Sequence, residues 1–390
     1  QEKHMDILKL NSISPAADDI LKSKFNVTDK SDNPVGIIVR SFNMHEYAFG
    51  KDLLAIARAG AGVNNIPIER CTRSGIVVFN TPGANANAVK ELVICCLLLA
   101  SRKIIPAIEW TKSLKGKGSE VPPLVEKGKS CFVGPEIYGK KLGVIGLGAI
   151  GALVANAAAS LGMDVLGYDP YISVESAWGL SRNVKRITDI NELYALSDYI
   201  TIHVPYNSST KGQINKDSIA RMKDGVVIIN CSRGELVETK DIIDAVKSGK
   251  VARYVTDFPN DDLLDVENVI CIPHLGASTP EAEDNCAIAA AMELADYIEN
   301  GNINNSVNFP TCTMARSGKN RIAIIHLNIK DMINKITSKI SAKNHNISNF
   351  VNKSQGEYAY SMIDIDDEAD ETLRNEIESI EGAIRVRIIK

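Results

Sequence analysis

The stretch from Lys141 to Asp169, KLGVIGLGAIGALVANAAASLGMDVLGYD, constrains the fold of this chain more than any other. It opens with Leu142–Ile145, an apolar run too short for an independent helix, and closes with a second run, Met163–Tyr168, that ends on Asp169. Between them Gly146, Gly148 and Gly151 fall in G-x-G-x-x-G spacing and lead through Ala149 and Ile150 into an alanine-rich helical run ending near Gly162. Glycine spacing alone is a weak signal. Strand, glycine turn, helix, strand and terminal acid together form the complete dinucleotide-binding fingerprint. Gly146 permits the tight turn, Gly148 lets the backbone approach a pyrophosphate, and Gly151 lets helix and strand pack closely. The helix N-terminus presents free N–H groups and a positive dipole end to the phosphates. Asp169 can accept both hydrogen bonds of an adenosine ribose diol and would repel a 2′-phosphate, so NAD is expected as cofactor rather than NADP.

At 390 residues the chain has room for two or three domains. A hydrophobic content of 45% with 24% charged residues describes an ordinary globular protein, and a net charge of −4 gives no basic field for nucleic acid or an acidic membrane. The eight cysteines are scattered, several in apolar runs (Cys95, Cys96, Cys231, Cys271), with no C-x-x-C pair. They read as core residues of a reducing compartment, and no metal site is expected. No apolar run reaches membrane-spanning length and no secretory leader is read, so a cytoplasmic location is expected. Gln1–His4, ahead of Met5, read as an added leader and are set aside.

Before the fingerprint, residues 5–87 alternate short apolar runs with helical stretches. Strands are expected at Met5–Leu10, Val35–Val39, Leu53–Ala57 and Val77–Phe79, with helices at Pro15–Lys24 and Ile66–Ser74. That order predicts an open parallel sheet with binding loops at its strand C-termini. Arg40-Ser41 offers a cation and a hydroxyl past one strand, and Gly60-Ala61-Gly62-Val63 offers bare N–H groups past the next. Asn80–Ala88 is a turn-rich loop that opens a long buried helix, and residues 102–140, rich in lysine, glycine and proline, read as an exposed arm.

After the fingerprint, polar residues recur just past successive strands: Arg233 after Gly225–Asn230, Asp257 after Val251–Val255, and His274 after Val269–Ile272. In a doubly wound sheet those ends converge on one crevice beside the nicotinamide half of a dinucleotide. A histidine with a carboxylate to orient it and an arginine to clamp a substrate carboxylate suits hydride transfer at a hydroxyl-bearing carbon, with His274 as acid–base. Residues 318–390 repeat a smaller pattern, β-α-β-β-α-β, the ferredoxin-like order, with no catalytic constellation and therefore a regulatory or oligomerising role.

On these residues the chain resembles the D-isomer-specific 2-hydroxyacid dehydrogenases. The likeness is carried by GLGAIG (146–151) with Asp169, His203-Val204-Pro205, NCSRGELV (230–237), the Asp257 loop and PHLGAST (273–279). VRS (39–41), AGAGVNNI (59–66) and NTPGANANAVKELV (80–93) also fit, and the last unit resembles the ACT domain of regulated members. The resemblance implies two doubly wound parallel-sheet α/β domains plus a C-terminal ferredoxin-like domain. A flavodoxin-like substrate domain would comprise 5–88 with 283–312, a Rossmann NAD domain 89–282 and an ACT-like domain 318–390. It implies that Cys231, Ser232, Gly276 and Ala277 line the cofactor with His203–Pro205, Asp257, Arg233 and His274. It further implies that Arg40, Ser41, Ala61, Gly62, Asn85 and Arg233 bind a small phosphorylated 2-hydroxy acid. A homodimer or homotetramer is implied too, with Lys129 matching a basic residue lent to a neighbouring subunit's site.

The chain departs from the family at two places. The family's glutamate behind the catalytic histidine is replaced by an aspartate in Asp257-Phe258-Pro259-Asn260-Asp261-Asp262; spacing favours Asp262, and a one-residue deletion would favour Asp261. In the C-terminal unit His326, Asn328 and Asn346 fall where serine-regulated members bind L-serine, but the usual Pro-Gly after the first strand is absent. Two other readings remain open: a reductase of a short 2-keto acid, and an NAD-sensing binding protein without turnover.

Overall fold

The computed structural model describes residues 5–390; Gln1–His4 lie outside the described residues. The chain divides into two compact units, one made of the chain up to Ala84 together with Glu283–Lys390, the other of Asn85–Ala282.

The first unit opens with strands β1 (Asp6–Leu10), β2 (Asn26–Thr28), β3 (Gly36–Val39), β4 (Ala55–Arg58) and β5 (Val77–Phe79), with short helices α1 (Asp18–Leu21) and α2 (Ile68–Arg73) between them. All pair parallel in the order β2-β1-β3-β4-β5, the flavodoxin-like arrangement. The central strands are apolar on both faces (Ile37, Ile38, Val39, Ile56, Ala57), as burial between two layers requires. The helix expected over Pro15–Lys24 is instead a 3-10 turn, Pro15–Ala17, followed by the single turn of α1. Ser14 caps it, and its run is too short to sustain a longer helix.

The second unit begins with α3 (Ala86–Ser101), whose Val89, Val93, Cys96, Leu97 and Ala100 are buried. Residues 102–140, expected as an exposed arm or loop, contain helices α4 (Ile104–Ser113) and α5 (Val121–Gly128), and neither contains a buried residue. Then come β6 (Lys141–Ile145), α6 (Ala149–Ser160), β7 (Asp164–Tyr168), α7 (Val174–Trp178), β8 (Val184–Arg186), α8 (Ile190–Leu196) and β9 (Tyr199–Ile202). The unit continues with α9 (Lys216–Ala220), β10 (Val226–Asn230), α10 (Thr239–Lys247), β11 (Val251–Thr256) and β12 (Val269–Cys271). The seven strands pair parallel in the order β12-β11-β10-β9-β6-β7-β8. Strand order reverses between β6 and β9, and the C-terminal end of β6 is the glycine turn; in such sheets that switch point is where a ligand binds.

The chain returns to the first unit through α11 (Pro280–Asn300), which packs Ala287, Ala290, Leu294 and Ile298 against Ile7, Ile38, Ala57 and Phe79. It then forms β13 (Asn320–Leu327), α12 (Met332–Ala342), β14 (Ile347–Gln355), β15 (Tyr358–Ile365), α13 (Glu371–Glu378) and β16 (Ala383–Ile389). These make an antiparallel sheet, β14-β15-β13-β16, with the expected β-α-β-β-α-β order. One face is covered by α12 and α13 through Met332, Ile336, Leu373 and Ile377. From the other face Ile325, Tyr360, Met362 and Ile389 join the core formed by α11 and the first sheet. No helix among the described residues is long and apolar enough to cross a membrane.

Candidate active site

The glycine turn is built as the fingerprint requires. Gly146 adopts φ +88°, and a β-carbon there would stand 2.5 Å from the His203 carbonyl oxygen. At Gly151 a β-carbon would stand 1.9 Å from the Gly146 oxygen, so only glycine lets α6 sit this close to β6. Gly148, by contrast, is the exposed N-cap of α6, makes no side-chain cap, and has nothing within 4 Å where a β-carbon would be. With exposed Ala149 and partly exposed Ile150 it leaves helix N–H groups facing open space, as a phosphate needs.

Asp169, just past β7, is aimed by two backbone donors: Leu147 N–H reaches Oδ2 at 2.9 Å and Tyr171 N–H reaches Oδ1 at 2.8 Å. Each oxygen keeps a second lone pair for a diol. His203 binds Thr201 Oγ1 through Nε2 at 2.9 Å, while its Nδ1 is buried without a partner among the described residues. Burial lowers the ring's pKa to about 4, so His203 is neutral at physiological pH. Val204 packs on the glycine turn, and Pro205 is exposed at the rim.

Next along the sheet edge, β10 ends in Asn230, whose side chain ties the following turn by donating to the Arg233 carbonyl at 2.8 Å and accepting from Ser232 N–H at 3.2 Å. Ser232 Oγ donates to the Ile202 carbonyl, coupling this turn to β9. Cys231 is buried with its Sγ 3.9 Å from that of Cys96; this contact and burial push its thiol far up, so it is a packing residue and no nucleophile.

Arg233 holds its guanidinium against its own turn, Nη1 donating to the Ser232 carbonyl at 2.6 Å, and lies 6.0 Å over the Phe258 ring. His274 is exposed and packs against that same ring, centroids 4.5 Å apart. Phe258 thus spaces the two groups, a role no motif announced although it adjoins Asp257. Asp257 is 1% exposed, and its Oδ1 has no hydrogen-bond partner among the described residues. Burial raises its pKa, against the opposing charges of His274 and Arg233 and a hydrogen bond from Gly276 N–H. A β-carbon on Gly276 would lie 3.4 Å from Asp257 Oδ2, and Ala277 follows, partly exposed.

Asp262, expected behind His274, stands exposed in a 3-10 turn, Asp261–Leu263, capped by Asn260. Among the described residues no hydrogen bond or ion pair joins Asp262 or Asp261 to His274. The carboxylate whose charge reaches His274 is Asp257. The 3-10 turn fixes its own backbone through Asn260 Oδ1 and Leu263 N–H, leaving the shorter aspartate without that contact.

In the first unit Arg40 follows β3 and pairs with Glu283 at 2.7 Å, while Ser41 is exposed beside it. The Arg40 carbonyl accepts from Arg58 Nε at 3.2 Å, and a β-carbon on Gly60 would stand 1.6 Å from Arg58 Nη1. Arg58, which carried no motif, therefore places a second guanidinium against the 60–63 turn. That turn is braced by Asn80 Nδ2 donating to the Ala61 carbonyl at 2.7 Å and by Thr81 Oγ1 accepting from Gly60 N–H at 2.8 Å; Gly62 follows at its partly exposed tip. Asn85, in the second unit, is the N-cap residue of α3, and its side chain makes no cap bond. Lys129 is exposed and paired with Glu126.

The C-terminal candidates do not converge within one chain. His326 is buried, bonded to the Leu327 carbonyl and to Ser361 Oγ, and Asn328 donates to the Gly356 carbonyl at that end of the sheet. Asn346 binds Asp366 at the opposite end, as the Asn320–Ile365 and His326–Ala359 pairings fix. No group of three or more potential metal ligands occurs among the described residues.

Comparison with known proteins agrees with this geometry. Residues 94–276 match the family described as D-isomer specific 2-hydroxyacid dehydrogenase, NAD binding domain. Curated relatives named D-3-phosphoglycerate dehydrogenase include that of Haemophilus influenzae, 32% identical over 86% of this chain and 81% of its own length. That of Methanocaldococcus jannaschii is 41% identical over 68% of this chain and 50% of its own length, and the human one 37% identical over 72% and 52%. The chain therefore spans about half the length of the archaeal and human relatives it matches. Among solved structures, an NAD+-bound 3-phosphoglycerate dehydrogenase of Entamoeba histolytica superimposes with TM-score 0.61 at 27% identity, covering 78% of this chain and 99% of that one. A glyoxylate reductase of Paecilomyes thermophila does so with TM-score 0.64 at 26% identity, covering 78% and 98%. The chain belongs to the D-isomer specific 2-hydroxyacid dehydrogenase family.

Proposed function

We propose that this chain oxidises D-3-phosphoglycerate to 3-phosphohydroxypyruvate with NAD, the first step of the phosphorylated route to L-serine. The observation that carries the reading is the grouping of Arg233, Asp257 and His274 along the same sheet edge as an open glycine turn with an oriented Asp169. The names of the relatives support the choice of substrate.

NAD supplies the hydride acceptor when bound. The glycine turn and Asp169 hold its pyrophosphate and adenosine ribose. Arg233 clamps the substrate carboxylate, and His274 takes the hydroxyl proton as the carbonyl forms. Asp257 stabilises the imidazolium that results, and Asp262 is the candidate for fixing the tautomer of the neutral His274 ring that precedes it. The loops after β3 and β4, with Arg40, Ser41, Ala61 and Gly62, recognise the phosphate, Arg40 exchanging Glu283 for it; Asn85 adds an amide.

The C-terminal unit is proposed as an ACT-like regulatory domain. Because Asn346 lies at the other end of its sheet, a serine site using His326, Asn328 and Asn346 would draw on two copies of a homodimer or homotetramer. A cytoplasmic location is part of the same proposal.

Steady-state NADH oxidation with 3-phosphohydroxypyruvate, beside equal concentrations of hydroxypyruvate, glyoxylate, pyruvate and 2-oxoglutarate, tests the proposal. We expect kcat/KM for the phosphorylated acid to lead by about 100-fold, roughly the worth of one desolvated charge contact. Equal rates across the set would make the chain a general 2-keto acid reductase. NADH binding without turnover on any of them would make it a binding protein.

A further inference from the structure

The edge of the seven-stranded sheet opposite the glycine turn carries a cavity. It lies where Lys140, Asp198 and Gly225 lead into β6, β9 and β10, beside the start of β11 and the end of α3, and its volume is about 280 Å3. At about 30 Å3 per water this is room for roughly nine waters, enough for a phosphorylated three-carbon compound and too little for a dinucleotide.

Its walls carry three cations, Lys103, Lys140 and Arg253, against one carboxylate, Asp198. That carboxylate is already engaged: Lys223 Nζ donates to Oδ1 at 2.8 Å and Lys141 N–H to Oδ2 at 2.9 Å. The hydroxyls of the floor are engaged as well. Ser101 Oγ donates to the Leu97 carbonyl and so accepts from Tyr199 OH at 2.8 Å. The cations are not. Arg253 is partly buried, and its backbone is fixed opposite Val227 in the β10–β11 ladder, yet among the described residues its guanidinium makes no hydrogen bond or ion pair. Lys140, whose charge reaches Asp198 without an ion pair, makes none either among those residues, and Lys103 has a single long bond, 3.4 Å, to the Cys131 carbonyl. A guanidinium has five donors and no acceptor. Holding one in a cavity with two ammonium groups and no free acid is unfavourable until an anion enters.

We propose that this cavity binds a small phosphate-bearing anion, with Arg253 making a two-pronged contact and Lys140 and Lys103 supplying further positive charge. The site is separate from the dehydrogenase site, on the opposite edge of the same sheet. A ligand there would act at a distance from the reacting atoms.

The test is calorimetric titration of the NADH-saturated full chain with inorganic phosphate and, separately, glycerol 3-phosphate, at low ionic strength. Wild type, Arg253→Gln, Lys140→Gln and Arg40→Gln are compared. We expect saturable binding by wild type that is weakened about tenfold or more by Arg253→Gln and several-fold by Lys140→Gln, and that persists in Arg40→Gln, which removes only phosphate bound at the proposed substrate site. Tighter binding of the ester assigns the site to phosphate esters; equal binding assigns it to free phosphate. Lys140 is exposed and its substitution leaves the fold alone, and retained NADH binding by Arg253→Gln shows that this variant is folded too. Absence of phosphate heat in wild type, or equal affinity in wild type and Arg253→Gln, overturns the proposal. So does dissociation of an oligomer by Arg253→Gln with phosphate binding intact, which would mean that a second copy's carboxylate fills the cavity.

Discussion

Asp169, the proposed ribose-binding carboxylate, has each oxygen aimed by a backbone N–H, so its proposed contribution is one of charge and of two directed acceptors. Asp169→Ala is expected to weaken NADH binding about tenfold and to narrow the preference over NADPH, both read by fluorescence titration. An unchanged preference would remove Asp169 from cofactor selection. At the other end of the site two carboxylates compete for one role. Asp257 is buried and its charge already reaches His274, whereas Asp262 is exposed and does not touch it. Asp257→Asn is therefore expected to lower kcat more than Asp262→Asn, each by stopped-flow with NADH affinity measured alongside; the reverse order would show that the 261–263 turn moves onto His274 in turnover. The glycines and Asp169 were legible in the sequence because their spacing is dictated by backbone geometry that admits few alternatives. The partner of His274 was not. Whether an aspartate reaches an imidazole depends on the path of a loop that spacing cannot specify, and Phe258 between His274 and Arg233 carries no motif at all.

At the scale of elements, α11 shows what a helix brings besides its apolar face. Glu293 lies on it, accepting from Asn305 Nδ2 at 2.6 Å through Oε1, with Oε2 buried and unpartnered. Asn305 in turn accepts from Asn80 N–H at the start of the loop that braces Ala61. Burial raises the Glu293 carboxyl to about 7, with the Asn305 bond opposing. A raised folded-state value means that the folded chain holds this proton while the unfolded chain, near 4.5, has released it. The associated stability is complete below about pH 4.5 and lost as pH rises through about 7. Glu293→Gln keeps the acceptor and removes the charge, so its Tm should match wild type at about pH 4.5 and exceed it by about pH 8. A pH-independent difference would show that Glu293 is solvated in both states. The elements themselves were legible in proportion to their length and burial. The central strands and α3 were plain from apolar runs, while β2, β8, α7 and α8 are three to seven residues long and carry no run to mark them. Helices α4 and α5 contain no fully buried residue, so no buried apolar stripe announced them.

At the scale of the molecule, the C-terminal sheet is part of the first unit's core and not a module hung from it. Arg321 is fully buried on β13, its guanidinium paired with Asp364 at 2.6 and 2.9 Å and donating to the carbonyls of Asn300, Met314 and Ala315. One side chain thus joins the sheet to the end of α11 and to the segment leading out of it. Arg387 donates to the carbonyls of Tyr297 and Ile298 at the end of α11, Arg385 to those of Leu53 and Ser74, and Tyr360 OH to that of Gly301. Removing Arg321 alone would leave a buried carboxylate unpaired, which costs about 3–5 kcal/mol, whereas replacing both partners by apolar residues is often close to neutral. We therefore expect Arg321→Met to lower the stability of the chain by that amount in chemical denaturation, and Arg321→Met with Asp364→Leu to recover part of it, short of full recovery because the carbonyls lose their donor. Hydrogen exchange followed by mass spectrometry should show β1, β3 and β13 losing protection together in Arg321→Met. If β13–β16 open at low free energy while β1 and β3 keep wild-type protection, the sheet is an independent folding unit, and a signal bound to it would have no rigid route to α11.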